Sequence, residues 1–145
     1  MVRGRAIVAL GLCWAMLAAC QQSPLGQSEA AANGPPLVAS NETLDFGGNE
    51  PFWGGTVSGE RLIWRTPENI DGTDISIQRF EGLGGVSWTG SLDGASFDLM
   101  ATEGICSDGM SDRTYPITVT VKLGDRLLNG CGHTERLPFK GPAAP

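Results

Sequence analysis

One segment of the chain concentrates the side chains that could do chemistry. Cys106–Pro116 reads CSDGMSDRTYP, in which carboxylates, hydroxyls, a guanidinium and a phenol lie within a few residues of one another. Asp and Ser side chains in such a loop can bond its own backbone amides, and Arg113 can pair with Asp108, Asp112 or a carboxylate elsewhere. Two interpretations stay open. The loop presents its side chains to a partner, or it is a structural turn before the next strand whose polar groups hydrogen-bond to one another. The candidate binding residues are Ser107, Asp108, Ser111, Asp112, Arg113 and Tyr115.

Catalytic and metal patterns are weak in this chain. The single histidine, His133, lies two residues beyond Cys131, and no G-x-S-x-G nucleophile motif is present. We therefore expect His133 to be a surface residue in a C-terminal tail. Asp108 and Asp112 could in principle serve as the paired carboxylates of a glycosidase. Two isolated cysteines and one histidine lack a ligand spacing typical of metals, and the aspartate loop departs from the calcium-binding pattern. The sequence predicts no catalytic residue, no metal and no cofactor.

The cysteines and the N-terminal segment indicate that the protein is exported to an oxidising compartment. Arg3 and Arg5 precede an apolar run that ends in Leu17-Ala18-Ala19-Cys20, which is typical of a secretory signal and too short to span a bilayer comfortably. Outside that run, Cys106 and Cys131 form a natural disulfide pair, and closing their 25-residue separation is worth about 3.5 kcal/mol by chain entropy. Two free thiols are the alternative.

Small residues before Cys20 resemble the lipobox of bacterial lipoproteins. The resemblance implies that residues 1–19 are a signal peptide and that Cys20 carries the lipid that anchors the chain to a membrane. A single acyl chain binds only marginally, whereas two or more anchor stably. Gln21 follows the lipidated position, and in Gram-negative lipoproteins this resembles the choice that sorts to the outer membrane, facing the periplasm.

The charge of the remaining chain argues against nucleic acid. All 16 acidic residues follow Ala19, but two of the 10 basic residues precede it. Cleavage would leave eight basic residues and a net charge of −8, which disfavours nucleic acid and anionic lipid headgroups as partners.

The sequence predicts an all-β domain after a stalk. Residues 20–42 are rich in Ser, Ala, Gly, Pro and Gln and are predicted to be a lipidated, disordered stalk. Residues 43–138 show short apolar alternations separated by turn residues, as in Ile117–Leu123 followed by Gly124-Asp125. Asp93-Gly94 and Ser58-Gly59 are predicted to be two further hairpin turns. The fold class is therefore a small antiparallel barrel or sandwich of about seven or eight strands, with residues 139–145 as a C-terminal tail. The predicted strands are Phe52–Val57, Arg61–Thr66, Thr73–Phe80, Gly85–Leu92, Ala95–Met100, Ile117–Leu123 and Arg126–Cys131.

Three tryptophans lie on predicted strands. Trp53, Trp64 and Trp88 are interpreted as core residues, because aromatic side chains at such positions usually pack inward. The alternative is a stacking wall for a glycan or peptide.

Three separated segments, two longer motifs and a glycine-cysteine pair, resemble one family. Gly48–Trp53 (GNEPFW), Cys106–Pro116 and Gly130-Cys131 are similar to GxEPFW, CSDGMSDRxYP and glycine-cysteine pieces of uncharacterised bacterial envelope lipoproteins. Asn49 stands where threonine is more frequent in that family. The resemblance marks Glu50, Phe52 and Trp53 as a structural motif, with Glu50 a further candidate partner for Arg113, and it implies no reaction.

A looser architectural similarity links the chain to the membrane-bound inhibitors of C-type lysozyme, which are small lipid-anchored barrels. Fold analogy does not establish function. We expect a non-catalytic, lipid-anchored binding module that uses the Cys106–Pro116 loop, with an envelope protein, a lysozyme-type protein or a glycan as partner. The alternatives are an envelope hydrolase that uses the acidic loop, or a structural lipoprotein without a dedicated ligand.

Overall fold

Eight antiparallel strands, each paired with the next along the chain, close into a barrel when the last strand pairs with the first. The structure, a computed structural model, describes residues 34–82 and 84–142. The predicted all-β class is confirmed, and closure decides for a barrel over a sandwich. The strands are β1 Thr43–Asn49, β2 Phe52–Ser58, β3 Arg61–Thr66, β4 Asn69–Gly82, β5 Gly85–Leu92, β6 Ala95–Ser107, β7 Thr114–Leu123 and β8 Arg126–His133.

Tight turns set the register of the hairpins. Asp93 and Gly94 both have positive φ, 51° and 82°, as a two-residue hairpin turn of the mirror-image type requires. The predicted turns at Asp93-Gly94, Ser58-Gly59 and Gly124-Asp125 all join consecutive strands. Between β1 and β2 the turn contains the cis peptide bond Glu50-Pro51.

Large apolar side chains fill the barrel interior. Alternate residues of each strand point inward, so Leu44, Trp88 and Phe97 are almost fully buried. The rings of Trp53 and Trp64 stack with centroids 5.3 Å apart, and Phe97 meets Trp64 edge-on at 5.2 Å. All three predicted core tryptophans are buried, so the interpretation of these rings as an exposed stacking wall is wrong.

The β6–β7 hairpin is longer than predicted. β6 continues to Ser107 and β7 begins at Thr114, with an irregular register between Glu103 and Cys106. A bulge of this kind bends a strand and increases its twist. The predicted loop therefore shrinks to a tip at residues 108–113, and both Cys106 and Tyr115 lie on strands.

The segment before β1 lies on the barrel, although it was predicted to belong to the stalk. Val38 is buried in the core, and Leu37 packs against it. Arg136 donates to the carbonyls of Pro36 and Leu37, and Arg79 donates to the carbonyl of Val38. The predicted boundary at residue 42 is wrong for residues 34–42, because two apolar side chains inside a polar stretch suffice to fold it back. The predicted signal peptide and Cys20 lie outside the described residues.

The residues after β8 also contact the barrel. Thr114 and Lys140 exchange backbone hydrogen bonds of 2.9 and 2.8 Å, so residues 139–142 are not the independent tail that was predicted. Across the described ranges, no helix is long and apolar enough to cross a membrane.

Candidate functional site

A disulfide holds the tip of the β6–β7 hairpin against β8. Cys106 and Cys131 are bonded, with Cα atoms 5.6 Å apart, although β7 separates their two strands in the sheet order. The predicted disulfide is confirmed. Because the bond joins non-adjacent strands, it fixes the tip over a part of the barrel with which the tip does not pair.

Asp108 organises that tip. Its carboxylate accepts hydrogen bonds from the Ser111 hydroxyl at 2.6 Å and from the amides of Ser111 and Met110 at 2.8 and 3.0 Å. The Tyr115 hydroxyl donates at 3.3 Å. Chiefly through the Ser111 hydroxyl and then these amides, the contacts lower the pKa of Asp108 from 3.8 to about 2.

The other predicted binding residues divide into two groups. The Ser107 hydroxyl accepts a hydrogen bond from the Gly109 amide, and the Ser111 hydroxyl accepts one from the Arg113 amide. Both hydroxyls therefore take part in hydrogen bonds within the tip. Asp112 is exposed. The Arg113 guanidinium lies 4.5 Å above the Phe139 ring, and its Nε donates to the carbonyl of Pro142 at 2.8 Å.

An aromatic cluster lies beside the tip. The rings of Tyr115, His133 and Phe139 are mutually in contact, with centroids 5.1 to 5.9 Å apart. His133 is the last residue of β8 and is half-buried, so its predicted position in a C-terminal tail is wrong. The physical reason is the pairing of β8 with β1, in which His133 is the partner of Asp45, and the ring contacts add to it.

The two sequence motifs meet in space. The Asn49 side-chain amide donates to the carbonyl of Asp108 at 2.5 Å, across 59 residues of sequence. Next to Asn49, Glu50 is exposed in the cis-proline turn, Phe52 is 54% exposed and Trp53 is buried. The Asn49 side chain therefore forms a contact between the two motifs.

A groove on the outer face of the barrel lies between them. Strand alternation points Gly47 and Gly54 outward, and the two are direct cross-strand partners. With no side chains there, the floor of the groove is bare backbone. The groove has a volume of about 520 Å³, and its lining includes Asp45, Asn49, Phe52, Thr56, Arg65, Pro67, Ile70, Asp108, Tyr115, Cys131 and His133.

The walls differ in character. One wall contains Tyr115, from the disulfide-bound β6–β7 hairpin, together with Cys131 and His133 of β8. The other contains Phe52, Pro67 and Ile70, and Ile70 is 75% exposed. The groove is therefore open, largely apolar at its sides and flat at its base.

A chain of two hydrogen bonds lies beside the glycine floor. Nη1 of Arg65 donates to the Thr56 hydroxyl at 3.1 Å, and that hydroxyl donates to the Asp45 carboxylate at 3.0 Å. Arg65 pairs across the sheet with Gly54, so a long cationic side chain lies beside the bare floor. Sequence reasoning missed Arg65, Thr56 and Asp45, because only the register of three strands brings them together. The usable signal was the pair of outward-facing glycines in GGNEPFWGG.

The groove thus unites part of the predicted set. Asp108, Tyr115, Phe52 and Trp53 line it, whereas Ser107, Ser111, Asp112, Arg113 and Glu50 do not appear in its lining. No family model, curated protein or solved structure matches this chain.

Asp108 is a poor candidate for acid–base catalysis. A carboxylate that accepts four hydrogen bonds and has a pKa of about 2 neither holds a proton nor attracts one strongly near neutral pH. Within residues 34–82 and 84–142, no cluster of three or more His, Cys, Asp or Glu side chains could hold a metal ion.

Proposed function

We propose that this protein is a lipid-anchored binding module of the bacterial envelope and that the outer groove is its contact surface. The observation that carries the proposal is the convergence of the two sequence motifs on one groove, through the hydrogen bond from Asn49 to Asp108. A bare glycine floor between an aromatic and an apolar wall is the kind of concave site in which ligands are held.

The proposal refines the role of the Cys106–Pro116 loop. Asp108, Ser107 and Ser111 support the tip through internal hydrogen bonds, and the tip in turn supplies one wall of the groove. Ser107 and Ser111 therefore position Tyr115 and the disulfide from outside the groove lining, whereas Asp108 both organises the tip and lines the groove. The alternative of a hydrolase that uses Asp108 is weakened by the carboxylate's low pKa.

The anchor is tested separately from the groove. The full chain, produced in bacteria fed an alkyne-labelled fatty acid, should incorporate label, and Cys20→Ala should lose it. Absence of label from the parent chain would reject the lipoprotein part of the proposal and leave the groove untouched.

The groove is tested by site-specific photo-crosslinking of the full chain in the envelope. A photoreactive phenylalanine at Ile70, on the groove's rim, should give a discrete crosslinked species. The matched control is the same probe at Leu127, which is 64% exposed on β8 and lies outside the groove lining. Identical products at both positions, or none at Ile70, would refute the groove as the contact surface.

Lysozyme is the first defined partner to test in the same format. Crosslinking to added C-type lysozyme at Ile70, together with stoichiometric loss of lysozyme activity, would identify an inhibitor. A discrete product with another envelope component and no inhibition would retain the binding module and exclude the inhibitor version.

A further inference from the structure

Arg65 is the one Arg or Lys side chain in the lining of the groove that the structure describes. Within the described ranges the guanidinium makes no ion pair, and its hydrogen bond to Thr56 uses Nη1. The two carboxylates of the groove accept hydrogen bonds from other groups. Asp45 accepts one from the Thr56 hydroxyl, and Asp108 accepts four. The remaining N–H donors of Arg65 are therefore the ionised donors that the groove offers to a ligand.

The chain of two hydrogen bonds also fixes the direction of the guanidinium. The single Thr56 hydroxyl hydrogen goes to Asp45, so the same oxygen is free to accept from Arg65. This holds one edge of the half-buried guanidinium toward β2. A planar guanidinium that is held at one edge can donate two parallel hydrogen bonds to a carboxylate from its other edge.

The apolar wall lies beside this charge. Thr66 and Pro67 follow Arg65 directly, and Phe52 and Ile70 remain more than half exposed although they are large and apolar. Since exposed apolar side chains that rim a groove mark a ligand surface, an apolar group next to the carboxylate would cover them.

We propose that the groove binds the C-terminal residue of a peptide, with its carboxylate on Arg65 and its apolar side chain between Phe52 and Ile70. The glycine floor lets the peptide backbone lie flat against β1 and β2, where any Cβ would raise the floor. The inference rests on the proposed function and names the chemistry of its ligand.

The test uses two matched pairs of probes, followed by NMR of the isotope-labelled full chain without its lipid. N-acetylphenylalanine should bind at least about tenfold more tightly than N-acetylphenylalaninamide, since a hydrogen bond to a charged group is worth that ratio or more. Its shifts should centre on the amides of Gly47 and Gly54 and on Nε of Arg65. N-acetylmuramic acid and N-acetylglucosamine form the second pair, which carries the carboxylate on a sugar.

Two variants complete the design. Arg65→Gln should remove the preference for the acid over the amide, whereas Arg126→Gln, an equal charge change at the opposite end of β8 from His133, should preserve it. Unchanged dispersion of the remaining resonances shows that Arg65→Gln folds.

Several outcomes would overturn the inference. The first is equal affinity for N-acetylphenylalanine and its amide, or no binding of either up to about 10 mM. The second is a preference for the acid over the amide that survives in Arg65→Gln or disappears in Arg126→Gln. The third is tighter binding of N-acetylmuramic acid than of N-acetylphenylalanine. Each is distinguishable from failure of the groove itself, because the Ile70 crosslink does not depend on a carboxylate.

Discussion

Replacing Asp108 with Asn should destabilise the domain by an amount that depends on pH. The carboxylate has a pKa of about 2 in the folded protein and 3.8 without its partners. At 1.36 kcal/mol per unit, this difference sets a ceiling of about 2 kcal/mol at pH 7. The side chain is partly exposed, and solvent screening reduces the expected cost to about 1–2 kcal/mol.

The sign follows from the lowered pKa. A carboxylate whose pKa falls on folding stabilises the protein above the unfolded pKa, and that stability is lost as pH falls from about 4 through about 2. The parent protein should therefore lose stability in this window, and Asp108→Asn should lose less because it has no carboxylate to protonate.

Urea unfolding at pH 7 and pH 2, followed by tryptophan fluorescence, measures both effects. The gap between parent and Asp108→Asn should be about 1–2 kcal/mol at pH 7, equivalent to several degrees of melting temperature, and should nearly close at pH 2. Asp112→Asn is the matched control, because Asp112 is an exposed carboxylate of the same tip. A gap of equal size at both pH values, or an equal effect of Asp112→Asn, would refute the role assigned to Asp108.

Three further perturbations test the packing. Reduction of the disulfide, or Cys106→Ser, should cost about 3.5 kcal/mol; an unchanged urea midpoint in reductant would contradict the link between the tip and β8. Gly48→Ala should cost about 1–3 kcal/mol, since its Cβ would lie 2.7 Å from the buried Trp53 ring, whereas Gly82→Ala meets open space and is the control. Val38→Ala should lower the free energy of unfolding by about 1–3 kcal/mol; no loss would remove residues 34–42 from the cooperative unit.

Local chemistry explains what was predictable. The alternation in Ile117–Leu123 and the turn at Asp93-Gly94 specify strands and hairpins through contacts within a few residues. The pairing of Cys106 with Cys131 followed from counting cysteines outside the apolar N-terminal run. These features need no knowledge of which distant strands meet.

The segment that binds the barrel from outside was not predictable in the same way. Val38 lies in a stretch whose composition is that of a linker, and its burial depends on packing into the barrel core. The sequence predicts a tail for His133, but its pairing with Asp45 and its contacts with the rings of Tyr115 and Phe139 depend on how the strands meet. In both cases tertiary contacts outweigh the local composition.

By itself, then, the sequence determined seven of the eight antiparallel strands, three of their tight turns, the buried tryptophans and the disulfide, because each depends on alternation, turn chemistry or residue count. It did not indicate β1. Only the tertiary structure decided that the sheet closes, that Asn49 reaches Asp108, and that Arg65 lies beside a glycine floor. The physical reason is register. Which residues share a row across β8, β1, β2 and β3 depends on how four strands slide relative to one another, and no local pattern in any one of them contains that information.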